Sequence, residues 1–267
     1  MKQPELSFYD IAPNVVAFST TRHGGCSQGN HGEFNINEHC GDDASAIARN
    51  RAALASRLGI DSSRIIMPHQ THGIETRQVA EEFLSLPGGV QKMVLEGVDA
   101  VMTDMSGVCI GVSTADCIPV LLHDSEHHAV CAVHAGWRGT VARIVQKAIA
   151  DMRLAYGTSA SCLTAVIGPG ISLEAFEVGD EVYSQFAEAG FVMEGISRQM
   201  KAAGSGAGYK WHIDLPECNC QQLVQCGLPE GSIIRSGICT HANAADYFSA
   251  RRLGINSGRI FNGIMLE

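Results

Sequence analysis

The sequence predicts an α+β fold in which helices pack outside largely antiparallel or mixed sheets. Two observations carry this. Runs rich in Val and Ile and bounded by turn residues recur along the chain as strands, and a few amphipathic helical segments are mixed among them. Hydrophobic residues make up 45% of the 267 and charged residues only 18%, which suffices to bury a substantial core in a compact globule.

In chain order, "NVVAFST" (14–20) is the first strand. A helix is expected over residues 44–58, behind Asp43. "RIIMPHQ" (64–70), "DAVMTDMSGVCIGVST" (99–114), "IPVLLHD" (118–124) and "HAVCAVH" (128–134) are further strand-like runs. The clearest helix follows Thr140, which is expected to be its N-cap. Val141, Ile144, Val145, Ala148, Ile149 and Met152 fall on one helical face, and Gly157 is the expected stop. "LTAVIGP" (163–169) reads as a strand, and the Gly-rich "KAAGSGAGYK" (201–210) as a flexible excursion. A third helix is expected to begin at Asp214, with Glu217 as capping-box partner and Gly227 closing it; "SIIRSGICT" (232–240) is the last strand-like run. No internal repeat or linker is visible, so residues 1–267 are read as one domain.

A net charge of −9, with only 19 Lys and Arg, argues against a nucleic-acid surface. The N-terminal stretch contains Asp10 and Pro13 and lacks a long apolar core, so neither a signal peptide nor a membrane span is expected there, and a cytoplasmic location follows as the default. Ten cysteines without any CxxC pair read as reduced thiols rather than a disulfide framework or zinc knuckle.

The chemistry centres on "AVCAVHAGWRGT" (129–140), where an apolar run ends on His134 against glycines and Arg138. Such a strand-to-helix turn lets backbone approach a ligand and suits an anion, which Arg138 would meet with a positive charge. Taken singly, a hydrogen-bonded core histidine and a surface arginine explain both residues. Two further polar insertions change the weighting: "MPHQTHG" places His69 and His72 after a strand, and "STADCIPVLL" places Asp116 and Cys117 before one. Histidine and cysteine thiolate are the donors zinc prefers, and three of them with an open position is the catalytic rather than the structural pattern.

The segments "TRHGGCSQG", "FNINEHCGDD" with Asn50 and Arg51, "HQTHG", "DAVMTD", "TADCIPVLL", "AVHAGWRGT", "IGPGI" with "FEVGDEV", "HIDLPECN" and "CTHANAADYFSARR" together resemble the YfiH-type family, also called the laccase-domain or multi-copper polyphenol oxidase family. The resemblance runs over nearly the whole chain. It implies a layered α/β/β/α fold and a metal site that transfers onto His72, Cys117 and His134, holding zinc, with copper able to occupy the same donors. It also implies a small-molecule substrate: purine nucleoside phosphorylase activity on adenosine, inosine and methylthioadenosine, with an adenosine deaminase side activity.

Phosphorolysis needs a positioned phosphate, for which Arg22, Arg138 and the turn N–H groups are the candidates. His69 joins these substrate-side residues, with supporting or proton-transfer work weighed against simple packing. Asp116 would orient a ligand, act as a base or simply form a turn. For Asn35, Asn50 and Arg51 helix capping and surface pairing are expected, and for Tyr247 and Phe248 burial in the core outweighs stacking on a base.

Two other readings remain. Cys117 with His134 or His72 as base would make an amide hydrolase, which the family's proposed peptidoglycan-editing role would require. Phenol oxidation through several coppers needs many histidines in HxH pairs, and the 11 histidines here include no HxH.

Overall fold

The computed structural model describes residues 2–202 and 208–267. Its strands, numbered along the chain, form three sheets. The first sheet has the order β1 (Leu6–Tyr9), β2 (Val15–Thr20), β14 (Ile260–Leu266), β6 (Cys109–Thr114) and β3 (Ile65–Ile66). The second runs β13 (Ile233–Arg235), β9 (Leu163–Ile167), β7 (Ile118–Asp124), β8 (Ala129–Ala135), β5 (Val98–Thr103) and β4 (Glu75–Gln78). A small third sheet joins β10 (Glu177–Val178), β12 (Tyr209–Ile213) and β11 (Ser197–Lys201). Most pairs are antiparallel, but β3 with β6, β4 with β5 and β13 with β9 are parallel, so the two large sheets are mixed.

The two large sheets pack face to face. Ile110, Val112 and Ile264 of the first meet Val101, Leu121, Val130, Ala132 and Val166 of the second. Because side chains alternate along a strand, the remaining residues face outward and need a second cover. For the first sheet α1 (Ala44–Leu58) supplies it, laying Leu54 and Ala55 on Phe18, Ile65 and Phe261. For the second, α5 (Ile144–Tyr156) and α8 (Leu215–Gln225) lay Val145, Ala148, Met152 and Leu223 on Val120, Leu122, Cys131 and Val133. The layering is therefore α/β/β/α. Strands buried on both sides, such as β5 to β8, read as continuous apolar runs because neither face meets water.

Short helices fill the connections: α2 (Glu81–Leu84), α3 (Gly88–Val94), α4 (Trp137–Val141), α6 (Asp180–Glu188), α7 (Met193–Ile196) and α9 (Ala250–Leu253). The helix at 44–58 has the expected bounds, with the Asp43 carboxylate accepting from the Ala46 N–H. The helix expected after Thr140 is broken in two. Thr140 lies inside α4, its hydroxyl and carbonyl accept from Asn219 and Gln222 of α8, and it caps nothing. The chain instead turns at Arg143 (φ 63°), whose guanidinium donates to the Ala189 carbonyl and lies over the Phe191 ring. Gly157 closes α5 in the left-handed conformation, as expected.

Only half of the expected capping box forms at α8. Asp214 accepts from the Glu217 N–H, but the Glu217 carboxylate turns to Arg235. The long 99–114 run is two strands, β5 and β6, and "SIIRSGICT" keeps strand structure only over Ile233–Arg235. Of the Gly-rich 201–210 stretch, Lys201, Tyr209 and Lys210 belong to strands β11 and β12, while residues 203–207 lie outside the described residues.

Candidate active site and cation-binding cluster

His134 stands near the end of β8, paired with Pro119 of β7, and Cys117 immediately precedes β7. The register of two adjacent strands thus sets the thiol and this imidazole side by side. His72 arrives from the loop between β3 and β4, where its own backbone adopts φ 64°. One ligand atom from each of the three residues lies within 4.8 Å of the others, and Cys117 Sγ is 3.8 Å from His72 Nε2. His134 is buried, Cys117 half-buried and His72 exposed, so the cluster is anchored from inside and open to solvent.

Asp99 holds the cluster together, and the sequence reading did not single it out. Its carboxylate, buried within β5, accepts from His134 Nδ1 at 2.7 Å, from the His72 N–H at 3.0 Å, and from the N–H groups of Thr71 and Gly73. Bonding through Nδ1 leaves His134 Nε2 for the cluster. The only sequence signal for Asp99 is a charge inside an otherwise apolar run. In the same loop, the Gln70 side chain pairs with both the N–H and the carbonyl of Ser113, fixing "HQTHG" to the end of β6.

Burial opposes ionisation of Asp99, but His134 and the N–H groups of Gly73 and Thr71 hold its carboxyl below the usual range. For Cys117 burial pushes the thiol up, and the charge of His134 with hydrogen bonding to both imidazoles pulls it further down, to about 6. Burial likewise works against charge on His134, which the Cys117 thiolate and then Asp99 raise to about 9. Without a cation the two form a thiolate–imidazolium pair.

The turn after His134 packs directly on the cluster. A Cβ on Gly136 would stand 2.9 Å from His72 Cδ2 and 3.1 Å from Cys117 Sγ, so only glycine fits against the cluster. The helix that follows, α4, spans five residues, and the Arg138 guanidinium lies over Trp137. Beside the cluster opens a cavity of about 470 Å³ whose wall includes His69, Trp137, Phe176, Arg251 and Arg259 as well as the three donors.

Neither Arg22 nor Arg138 lines this cavity. Arg22 is committed to the carbonyls of Gly32 and Ala244 and covers Phe248. The cationic side chains on the cavity wall are Arg251 and Arg259, which the sequence did not single out because arginines in "SARR" and "GRI" look no different from solvated ones. His69 does line the cavity but stays out of the three-donor cluster; its Nδ1 is bonded to Glu96 at 2.8 Å.

Asp116, at φ 85°, accepts from Thr240 Oγ1 and the Arg251 N–H and so braces the turn that aims Cys117. Asn35 and Asn50 are not surface or cap residues. Both are fully buried in a network that bonds Asn50 to Ser27 and Cys26 and Asn35 to Asp42 and the Arg259 N–H. Arg51 donates to the carbonyls of Ser62 and Ile65. Tyr247 and Phe248 are core residues. All ten cysteines are free thiols.

The donor set fits a zinc-like cation. On a tetrahedral ion with bonds of about 2.0–2.3 Å, neighbouring donors stand roughly 3.3–3.6 Å apart, so the 3.8 Å Cys117–His72 pair needs to close by a few tenths of an ångström and, with every pair within 4.8 Å, no pair by much more than about 1 Å. Among the described residues this is the one group of three His, Cys, Asp or Glu donors so arranged.

Two stacked mixed sheets, helix-covered on both outer faces, with such donors beside a cavity, have the form of a small-molecule site. The chain belongs to the family described as multi-copper polyphenol oxidoreductase laccase, whose model matches residues 16–267. It is 44% identical over 254 residues to a purine nucleoside phosphorylase of Bacteroides thetaiotaomicron, covering 95% of this chain and 92% of that one. It is 41% identical over 260 residues to a protein named adenosine deaminase RL5 from an unknown prokaryotic organism, covering 97% of each. The solved structure of the hypothetical protein YfiH of Bacillus licheniformis superposes with a TM-score of 0.85 at 28% identity, over 97% of this chain and 99% of that one. YlmD of Geobacillus stearothermophilus gives the same score and identity over 100% and 98%. The resemblance read from the sequence is thereby confirmed, as is the fold class. No helix among the described residues is long and apolar enough to cross a membrane.

Proposed function

We propose that the chain is a purine nucleoside phosphorylase acting on adenosine, inosine and methylthioadenosine, with adenosine deaminase activity in the same cavity, and that His72, Cys117 and His134 hold zinc there. The observation that carries this reading is the convergence of the three donors on the wall of a cavity of about 470 Å³, a volume suited to one nucleoside. The printed activities of the relatives at 44% and 41% identity support the substrate class.

Zinc bound at these donors supplies Lewis acidity that makes water nucleophilic near neutral pH. Asp99 fixes His134 in the tautomer that presents Nε2 to the cluster. Trp137 and Phe176 give the cavity aromatic walls for a purine. Arg251, exposed on the cavity wall, takes the phosphate-binding role that the sequence reading gave to Arg22 and Arg138. The neighbouring Arg259 is half-buried, which holds its guanidinium below the ordinary range, and it donates to the carbonyls of Ile255, Ser257 and Gly258, so it lends positive charge to this wall rather than a free fork of donors.

Incubation with adenosine, with and without phosphate, followed by mass identification of products tests the reading. Adenine with ribose 1-phosphate is expected when phosphate is present, and inosine from the side activity. Neither product would refute it.

The thiolate–imidazolium pair of Cys117 and His134 favours a second reading, an amide hydrolase with Cys117 as nucleophile or with zinc in the same place. Zinc content separates the two nucleophiles: activity that survives complete chelation belongs to the thiolate. Copper binds such donors more tightly than zinc, but one three-donor cluster among the described residues falls short of the several sites a multicopper oxidase uses.

A further inference from the structure

Two histidines, His39 and His69, line the cavity beside the cation cluster, and a carboxylate, Glu96, holds one of them from the neighbouring pocket. His69 and His39 stack with ring centroids 3.7 Å apart and planes 16° from parallel. The His69 Nδ1 lies 2.8 and 2.9 Å from the two oxygens of Glu96. The backbone of His69 is clamped as well, donating to the Leu95 carbonyl and accepting from the Gly97 N–H. One ring face and one nitrogen are thus fixed, and Nε2 makes no hydrogen bond among the described residues although the side chain lines the cavity.

Breaking the bond between a purine and C1′ of its ribose leaves electrons on the base, which departs easily only if a ring nitrogen such as N7 receives a proton. The groups on the cavity wall that could give one are few. His72, His134 and Cys117 are committed to the cation cluster, the Asp116 carboxylate to Thr240 and the Arg251 N–H, and the Cys40 thiol, which burial keeps protonated, to the Asn37 carbonyl. Arginine does not release its proton. Burial and the adjacent His69 hold the His39 imidazole below its ordinary range, which favours its neutral form. That leaves His69, whose Nδ1–H is anchored by a carboxylate in the arrangement that orients a histidine acid or base.

We propose that His69, oriented by Glu96 and packed against His39, is the general acid that protonates the departing purine. The step balances: the C1′–N bond breaks, a phosphate oxygen bonds to C1′, the bond electrons stay on the base, and the Nε2 proton of His69 moves to it. Water restores the proton after release. Glu38, exposed, and Lys92, which pairs with it at 2.7 Å, lie beyond the same wall on the neighbouring 440 Å³ pocket that His39 and His69 also border. The proposal rests on the phosphorylase reading above.

The test compares inosine with an N7-methylated purine nucleoside, whose base already carries the positive charge and needs no proton to leave. The His69→Gln substitution should lower kcat for inosine by about 10²-fold or more beyond its effect on the methylated substrate. Glu96→Gln, which keeps a hydrogen-bonding side chain at an exposed site, should show the same bias to a smaller degree. Equal losses on both substrates in both variants would overturn the proposal and leave His69 a packing residue. Failure of the underlying reading shows itself separately, as absence of phosphate-dependent base release by the unsubstituted protein on either substrate, and removes the proposal with it.

Discussion

Asp99 is fully buried yet charged, and two of the three cation donors hang from it, His134 through Nδ1 and His72 through its backbone. Replacing it by Asn substitutes an amide for the charge and should weaken zinc binding by about 10–100-fold, measured by competition with a chromophoric chelator. Unchanged affinity would mean that the loop is held elsewhere. Cys117 gives a second residue-scale prediction. Its depressed pKa means that the thiolate persists above about pH 6 and is lost as pH falls through that value, so iodoacetamide should modify metal-stripped protein with a half-maximal rate near pH 6. A midpoint near 9, that of an ordinary thiol, would contradict the geometry. His69, His72, Cys117 and His134 stood out in the sequence because imidazoles and thiols are conspicuous at the ends of apolar runs, and the choice of His72, Cys117 and His134 as a set came from the family resemblance. Asp99 was not, since a single carboxylate in such a run looks the same whether it anchors a histidine or ends at an edge. Arg22 and Arg138 show the converse limit: a guanidinium near a glycine turn says nothing of which carbonyls or rings claim it.

At the scale of elements, the turn from β8 into α4 is shaped by contact with the cluster. Gly136→Ala would press a methyl into His72 and Cys117 and should cost about 1–3 kcal/mol in chemical denaturation while weakening metal binding. By contrast, Asp43→Ala removes the N-cap of α1, whose side chain is not on the cavity wall, and should cost about 1 kcal/mol with kcat unchanged. The N-cap was readable because an Asx side chain before an amphipathic run has one efficient use. Strand β14 was not: Asn262–Gly263 in its middle has the sequence of a hairpin turn. The fold uses the pair differently, with Asn262 bonded to Ser19 and Thr114 on the flanking strands and Gly263 making room for the rings of Phe18 and Phe261. The break between α4 and α5 was hidden for a related reason. Helical periodicity continues through Arg143, and only the tertiary bonds of Thr140 and Arg143 to α8 and Ala189 show where the chain bends.

Across the whole molecule, the cation donors join the loop after β3 in the first sheet to β7 and β8 in the second, so an ion bound there ties the two layers together. Zinc at about 100 times its Kd should add roughly 2.7 kcal/mol to stability and raise Tm by about 5 °C or more, seen as a drop on chelation in scanning calorimetry. Cys117→Ala should abolish that drop. The layered α/β/β/α architecture was partly visible in the pattern of doubly buried strands, and the family resemblance supplied the order of layers. Which strand lies beside which followed from neither, because register and sheet assignment depend on pairings between residues far apart, such as Asn262 with Ser19.

X-ray absorption at the zinc edge of the loaded protein tests the central claim most directly. One sulfur at about 2.3 Å and two imidazole nitrogens at about 2.0–2.1 Å, at close to one zinc per chain and with the sulfur shell absent in Cys117→Ser, is the expected result. A spectrum without sulfur, or one unaffected by that substitution, would contradict a site built from His72, Cys117 and His134.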